Sequence, residues 1–238
     1  MATSTTGRFL RSLLDAGAVM RSADGVYSIG PVIHELAGGA PSQPDLLSLA
    51  ATHLSALAKL TGETAGIAAA IDNDVLHLGQ VSSDVRADVQ VRDWSGEQVP
   101  AHAGCTGLVL MAYWPEAQLE AYVSQSLEAF SERTVVDAKT IRSRLDHIRR
   151  NGYLWTTDEY AIGVTSAAAP VFDRAGSAVA ALHVFGPAYR FPDTNETKSI
   201  AAELHRRAEL LSASLGHRQD STGGNCHLDQ SKRAKNVA

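Results

Sequence analysis

The chain has 238 residues, of which 45% are hydrophobic and 20% charged, with 19 Gly, 8 Pro and a formal net charge of −5. That length buries a core without staples, and the composition excludes collagen-like and disordered classes. Two cysteines, Cys105 and Cys226, exclude a disulfide scaffold or a paired-cysteine metal site, and reduced thiols in a cytosol are expected. No run approaches the ~20 apolar residues that cross a bilayer. The first residues carry one arginine ahead of a broken apolar stretch and no export core, so a cytoplasmic location is expected. The acidic balance argues against a nucleic-acid binder over the whole surface. Even so, the first thirty residues hold Arg8, Arg11 and Arg21 against Asp15 and Asp24, enough for a local basic patch.

In chain order, Ser4 to Leu14 places Phe9, Leu10, Leu13 and Leu14 on one helical stripe, with Ser4 or Thr5 able to cap it and Gly17 to end it. Val19 to Arg21 and Val26 to Gly30 read as a hairpin around Asp24-Gly25. Pro31 to Leu36 allows a short helix, and the Gly- and Pro-rich run that follows marks a boundary. Leu46, Leu49, Leu54, Leu57 and Leu60 give a helix over Asp45 to Leu60, stopped at Thr61-Gly62. The period then changes. Thr64 to Ile71 and Val75 to Val81 read as paired strands around Asn73-Asp74, with Val85 to Val91 as a further edge. Residues 103 to 113 read as a buried helix, followed by helices over Pro115 to Val123 and Asp137 to Asn151. The last carries Arg142, Arg144, Arg149 and Arg150 on a face read as solvated. Val164 to Phe172 and Ser177 to Phe185 form a strong hairpin turning at Asp173 to Gly176, and Ile200 to Leu215 a closing amphipathic helix; a disordered tail is expected from Gly216. These elements make an α+β fold, one antiparallel sheet covered by helices.

A short helix with Ser, Thr and Arg near its start and a hairpin directly after it fits either a DNA-reading winged helix from its recognition helix onward or a plain helical cap on a larger domain. The run STTGRFLRSLLDAGAVMRSADGVYSIGPVIHEL resembles the end of the winged helix-turn-helix of the IclR family of transcriptional regulators. Three further pieces carry the resemblance on: GEQVPAHAGCTG (96 to 107), GYLWTTDEYAIGVTSAAAPV (152 to 171) and VAALHVFGPAYR (179 to 190). It covers nearly all of residues 4 to 215. The implied organisation is a partial winged helix-turn-helix over 1–36, a linker and linker helix over 37–62, a GAF-like effector-binding domain over 63–216 and a tail over 217–238. The resemblance implies that Ser4, Thr5, Thr6, Arg8 and Arg21 meet operator DNA, that the linker helix supports a homodimer or homotetramer, and that the later domain binds a small organic effector. The family has two further helices ahead of the recognition helix. Their lack here is expected to reflect a start codon placed too late or a lost reading head.

In the family the pocket holds a small organic acid or aromatic metabolite. The resemblance places the loop 96–105 across it, with His102 in the "P.HA" position, Cys105 beside it, and the Thr106-Gly107 backbone able to receive a carboxylate. His102 equally reads as a brace for the loop and Cys105 as a small buried hydrophobe. Where the family has "G..CIAAPV" this chain has Ser166 and then Ala167 to Ala169, and where it has "ALSVSGP" this chain has His183 and Phe185. Alternation puts Ser166 and Ala168 on one face of their strand, and His183 and Phe185 on one face of theirs. An imidazole and a ring in place of small hydroxyls suit a flat apolar body with one acidic group; the same change equally fits a filled pocket. Trp155, Asp158 and Glu159 sit in the preceding loop, Trp155 reading as a packed lid more readily than as a ligand platform.

An enzyme needs a nucleophile with its base, paired carboxylates or metal ligands. His102 and Cys105 lack a third orienting group, and the scattered His53, His77, His102 and His183 lack metal-site spacing, so no catalytic residue, metal or cofactor is expected. The expected function is a DNA-binding regulator controlled by a small, aromatic or carboxylate metabolite. The alternative is a stand-alone dimeric sensor without DNA binding.

Overall fold

The computed structural model describes residues 2–21, 25–30, 32–33, 43–83 and 91–217. Helix α1 (Ala2–Asp15) begins ahead of Ser4 and Thr5, so both lie inside it, past the position of a cap. It ends at Gly17, whose φ of 68° is left-handed, with the Gly17 and Ala18 amides donating back to Leu14 and Leu13. Strands β1 (Val19–Arg21) and β2 (Tyr27–Ile29) follow as the expected antiparallel hairpin. The expected turn residue Asp24, most of the Pro31 to Leu36 helix, all of the Val85 to Val91 edge but Val91 itself, and nearly all of the tail lie outside the described residues.

From α2 (Gln43–Thr61) the chain runs through β3 (Thr64–Ile71), β4 (Asp74–Ser82), β5 (Gln98–Pro100), α3 (Cys105–Met111), α4 (Glu116–Val123), α5 (Ala138–Asn151), β6 (Leu154–Thr157), β7 (Val164–Phe172), β8 (Ala178–Pro187) and α6 (Thr197–Ser214). The strands β3 to β8 form one six-stranded antiparallel sheet in the order β5-β4-β3-β8-β7-β6. A mixed fold of one antiparallel sheet with flanking helices is thus present. Two of its strands, β5 and β6, fall where the sequence reads as loop. Both are short and sit at the two ends of the strand order, where few residues carry a periodic signal.

Central strands β7 and β8 are buried along nearly their whole length, which is why they read as continuous apolar runs. Alternation splits them between two cores. Ala68, Ala168 and Ala181 face Leu108, Met111, Ile141, Leu145 and Ile148 of α3 and α5. Ile67, Ala167, Ala169, Leu182 and Val184 face Leu54, Leu57, Leu204 and Leu211 of α2 and α6. The helix expected to act as a linker therefore buries Leu46, Leu54 and Leu57 in the core of the sheet, while Leu49 and Leu60 from the same apolar pattern are exposed. The alanines of the sheet leave room for helices on both sides at close packing. Asp137 caps α5 by accepting from the Thr140 amide, and Gly152 ends it at φ 75°.

Candidate functional site

On the α3 face the sheet and the helix part around a cavity of about 60 Å³. One water needs ~10–15 Å³ of such space, so it holds a few waters or a compact organic molecule. Ser166 of β7, His183 and Phe185 of β8, His77 of β4, Val99 of β5 and Thr156 of β6 make the sheet wall. Gly104, Cys105 and Thr106 at the start of α3 stand opposite, and Trp94, Glu159, Tyr160, Ala161 and Val164 complete the lining.

The polar side of the cavity is a chain of small groups. Cys105 Sγ donates to Ser166 Oγ at 3.1 Å, and Ser166 Oγ lies 3.0 Å from Thr156 Oγ1. Burial pushes the Cys105 thiol up to about 11, so it stays protonated and is no nucleophile at neutral pH. Glu159 is buried, and burial raises its carboxyl while the ion pair to Arg144 Nη1 at 2.6 Å pulls it back. The Thr134 hydroxyl, donating to the Glu159 carbonyl at 2.6 Å, anchors that loop.

The aromatic side is a set of rings. His183 stacks on Phe185 with centroids 5.5 Å apart, and His77 meets His183 edge-on at 5.0 Å. His183 is 3% exposed and its Nδ1 makes no hydrogen bond. Burial first, and the neighbouring His77 second, hold its pKa well below 6.5, while burial pulls His77 down to about 4. Both imidazoles are neutral. Trp94 and Tyr160 lie 5.5 Å apart, with the Tyr160 hydroxyl donating to Glu97 Oε1 and the Arg92 guanidinium over the Trp94 ring.

Of the residues expected to touch a ligand, Cys105, Thr106, Ser166, His183 and Phe185 come together on this cavity. The other five lie elsewhere. His102 is braced, its two ring nitrogens 2.8 Å from the Tyr122 hydroxyl and from the Glu128 carbonyl. Gly107 is a packing point, where an added Cβ would fall 2.1 Å from the Ala101 carbonyl oxygen. Trp155 pairs across to Ala167 and packs on Phe191, on the opposite face of the sheet. Asp158 has a φ of 62° and accepts from the Gly163 amide, closing its own loop. Ala168 is fully buried beside His183, its register partner on the neighbouring strand.

Register explains most of what sequence reasoning missed. Thr156 is the cross-strand partner of Ser166, so putting Ser166 on the cavity puts Thr156 there and turns Trp155 away. His77 pairs with Ala68 of β3, beyond a bulge between Ile67 and Ala68 that no periodicity announces. Arg144, expected on a solvated face, instead reaches a buried partner at the cavity wall. Among the described residues Arg142 pairs with Glu116 and Glu120, and Arg149 with Asp146. No described group of three or more His, Cys, Asp or Glu is placed to hold a metal, and no described helix is long and apolar enough to cross a membrane.

The family model for the bacterial transcriptional regulator IclR C-terminal domain matches residues 39–213. The chain belongs to the IclR family. It is therefore a transcriptional regulator and not an enzyme. The HTH-type transcriptional repressor AllR of Escherichia coli K12 is 30% identical to this IclR-family chain over 216 residues, covering 90% of it and 78% of the repressor. An IclR-type regulator from Silicibacter superposes with a TM-score of 0.75 over 92% of this chain and 85% of its own, at 24% identity. An IclR homologue from Microbacterium hydrocarbonoxydans, solved in complex with 4-hydroxybenzoate, superposes with a TM-score of 0.66 at 25% identity, over 89% of this chain and 85% of its own.

Proposed function

We propose that this IclR-family chain binds operator DNA under the control of a compact aromatic metabolite held in the α3-face cavity. One observation carries the reading: the cavity sets a wall of three rings, His77, His183 and Phe185, against a chain made of the Cys105 thiol and the Ser166 and Thr156 hydroxyls. A flat ring slots against such a wall, and a phenolic or carboxylic oxygen meets the Ser166 and Thr156 hydroxyls. The relative crystallised with 4-hydroxybenzoate supports this class of ligand. In the same reading residues 1–36 are the recognition helix and wing of a winged helix-turn-helix, with Ser4, Thr5, Thr6, Arg8 and Arg21 toward DNA. Residues 63–216 are the GAF-like effector domain, and two copies of the chain align on a two-fold operator. The ligand acts by coupling, since it shifts operator affinity only as far as it binds the two states of the protein differently. The site of action is the cytoplasm.

The test pairs thermal melting with a gel shift on DNA from the protein's own promoter. A melting temperature that rises with 4-hydroxybenzoate, and an operator affinity that changes with it, supports the reading; saturation at 100 times Kd corresponds to about 2.7 kcal/mol of stabilisation. A melting temperature unmoved by a panel of single-ring acids and phenols would overturn it. Ligand binding without any gel shift, from the folded chain, would favour the stand-alone sensor.

A further inference from the structure

The described lining of the cavity contains no lysine and no arginine. Its one carboxylate, Glu159, is already committed to Arg144. An organic acid entering as a bare carboxylate thus meets a fixed anion and two neutral rings, and burying an unpaired charge is strongly disfavoured. The wall nevertheless holds a group that converts to a cation by gaining a single proton. His183 is almost fully buried, lacks a partner at Nδ1, and lies 5.0 Å from the His77 ring. Gly66 on β3 leaves the space that the ring fills, since a Cβ there would fall 2.5 Å from His183 Nε2.

Resting on the effector reading above, we propose that the cavity admits its organic acid together with one proton, which settles on the His77–His183 pair, so that the ligand enters as a net-neutral carboxylate–imidazolium unit. The proton comes from solvent and adds to a ring nitrogen; the ligand keeps its carboxylate, and no covalent bond breaks. A carboxylate within ~4–6 Å favours the charged imidazole, and the imidazolium in turn offsets the ligand's charge.

The groups packed around the pair leave this role to it. From β3 and β7 the neighbours are Gly66 and Ala168, which do not titrate. From α3 comes Cys105, protonated at neutral pH, and from the loop after β6 come Glu159, paired with Arg144, and Tyr160, whose hydroxyl is held up at about 12 by burial and Glu97. Glu97, just before β5, bonds Arg92 and Tyr160. Burial keeps both imidazoles unprotonated in the free site, so the proton is acquired with the ligand.

Titration calorimetry of the full chain between pH 5 and 8, in buffers of different ionisation heat, tests this with 4-hydroxybenzoate and its uncharged amide, 4-hydroxybenzamide. A carboxylate partner that lifts the His77 value of about 4 by about 1–3 pH units makes the uptake with the acid approach one proton at the acid end of the range and fade toward pH 8, with none for the amide; affinity for the acid weakens as pH rises from 5 to 7 while affinity for the amide stays flat. The double variant His77→Gln/His183→Gln should lose the uptake and the pH slope. Acid binding with no proton uptake in the unmodified chain overturns the inference and leaves the effector reading standing. Binding of neither compound overturns both.

Discussion

His183 on β8 lies directly over Gly66 on β3, its register partner, and an added Cβ at 66 would stand 2.5 Å from the ring and 3.2 Å from the Gly79 carbonyl oxygen. The glycine is where the sheet makes room for an imidazole. Gly66→Ala should therefore force the ring from its stack on Phe185, lowering stability by about 1–3 kcal/mol as overpacked cores do. Urea unfolding reads the loss. A variant as stable as the parent, with ligand affinity intact, would show that the ring yields freely.

Arg144 and Glu159 form an ion pair whose acid is buried and whose base is one quarter exposed. Arg144→Met should cost about 3 kcal/mol, near the low end for breaking a buried pair, because Glu159 is left charged without its partner. The deficit should depend on pH in a defined direction. Glu159 already has a raised pKa in the folded chain, so its contribution is present at low pH and lost as pH rises through the folded value. Removing Arg144 raises that value further. The gap between variant and parent should narrow at pH 5 and widen at pH 8 in paired urea titrations.

His77 and His183 are buried in the neutral form, with folded pKa values below the ordinary 6.5. Between the folded and unfolded values the unfolded chain binds more protons. The stability they confer is therefore complete above pH 6.5 and declines as pH falls toward the His77 value of about 4. Each ring contributes up to about 1.4 kcal/mol per pH unit in that window, and Glu159 acts in the opposite sense. Stability should drop from pH 7 to pH 5, and the drop should shrink in His77→Gln. A flat profile would mean that the rings carry no burial cost.

His102 separates a brace from a ligand contact. Both its ring nitrogens are engaged, by the Tyr122 hydroxyl and the Glu128 carbonyl. His102→Ala should cost about 1–3 kcal/mol in stability, the penalty for leaving buried partners unpaired. Its affinity for 4-hydroxybenzoate should stay within about twofold. A large loss of affinity in a chain of unchanged stability would return His102 to the cavity.

Cys105 should resist alkylation at pH 8, since its thiol is buried and held near 11. In a Cys226→Ser background, iodoacetamide should modify it only after unfolding. Rapid labelling of the native chain would indicate that the cavity opens widely.

The helices and the two long hairpins were legible because each carries ten or so residues of consistent period, with Gly17, Gly62 and Asp173 to Gly176 as punctuation. The cavity was half legible. Ser166, His183 and Phe185 follow from alternation on strands whose positions were plain, and Cys105 and Thr106 from the start of a visible helix. His77 was hidden behind a bulge in β3, and although Thr156 and Glu159 stand in a loop already expected near the pocket, their placement on its wall depends on partners distant in sequence, the register of β6 on β7 and an arginine on α5. Local pattern does not encode which strands meet, or where they slip. Trp155 shows the cost. One step along a strand moves a side chain to the other face of the sheet.

On β8, His183 and Phe185 border the cavity, while Leu182 and Val184 between them are packed into the core shared with Leu54 and Leu57 of α2. Odd and even positions of one strand thus serve two compartments, and the wall between them is a single polypeptide thick. Whatever fills one compartment and tilts that strand must also push on the other, with no lever, hinge or relay in between. In sequence α2 is the segment through which the sheet joins the helix and hairpin at the start of the chain, so the partition wall packs directly against that joining segment.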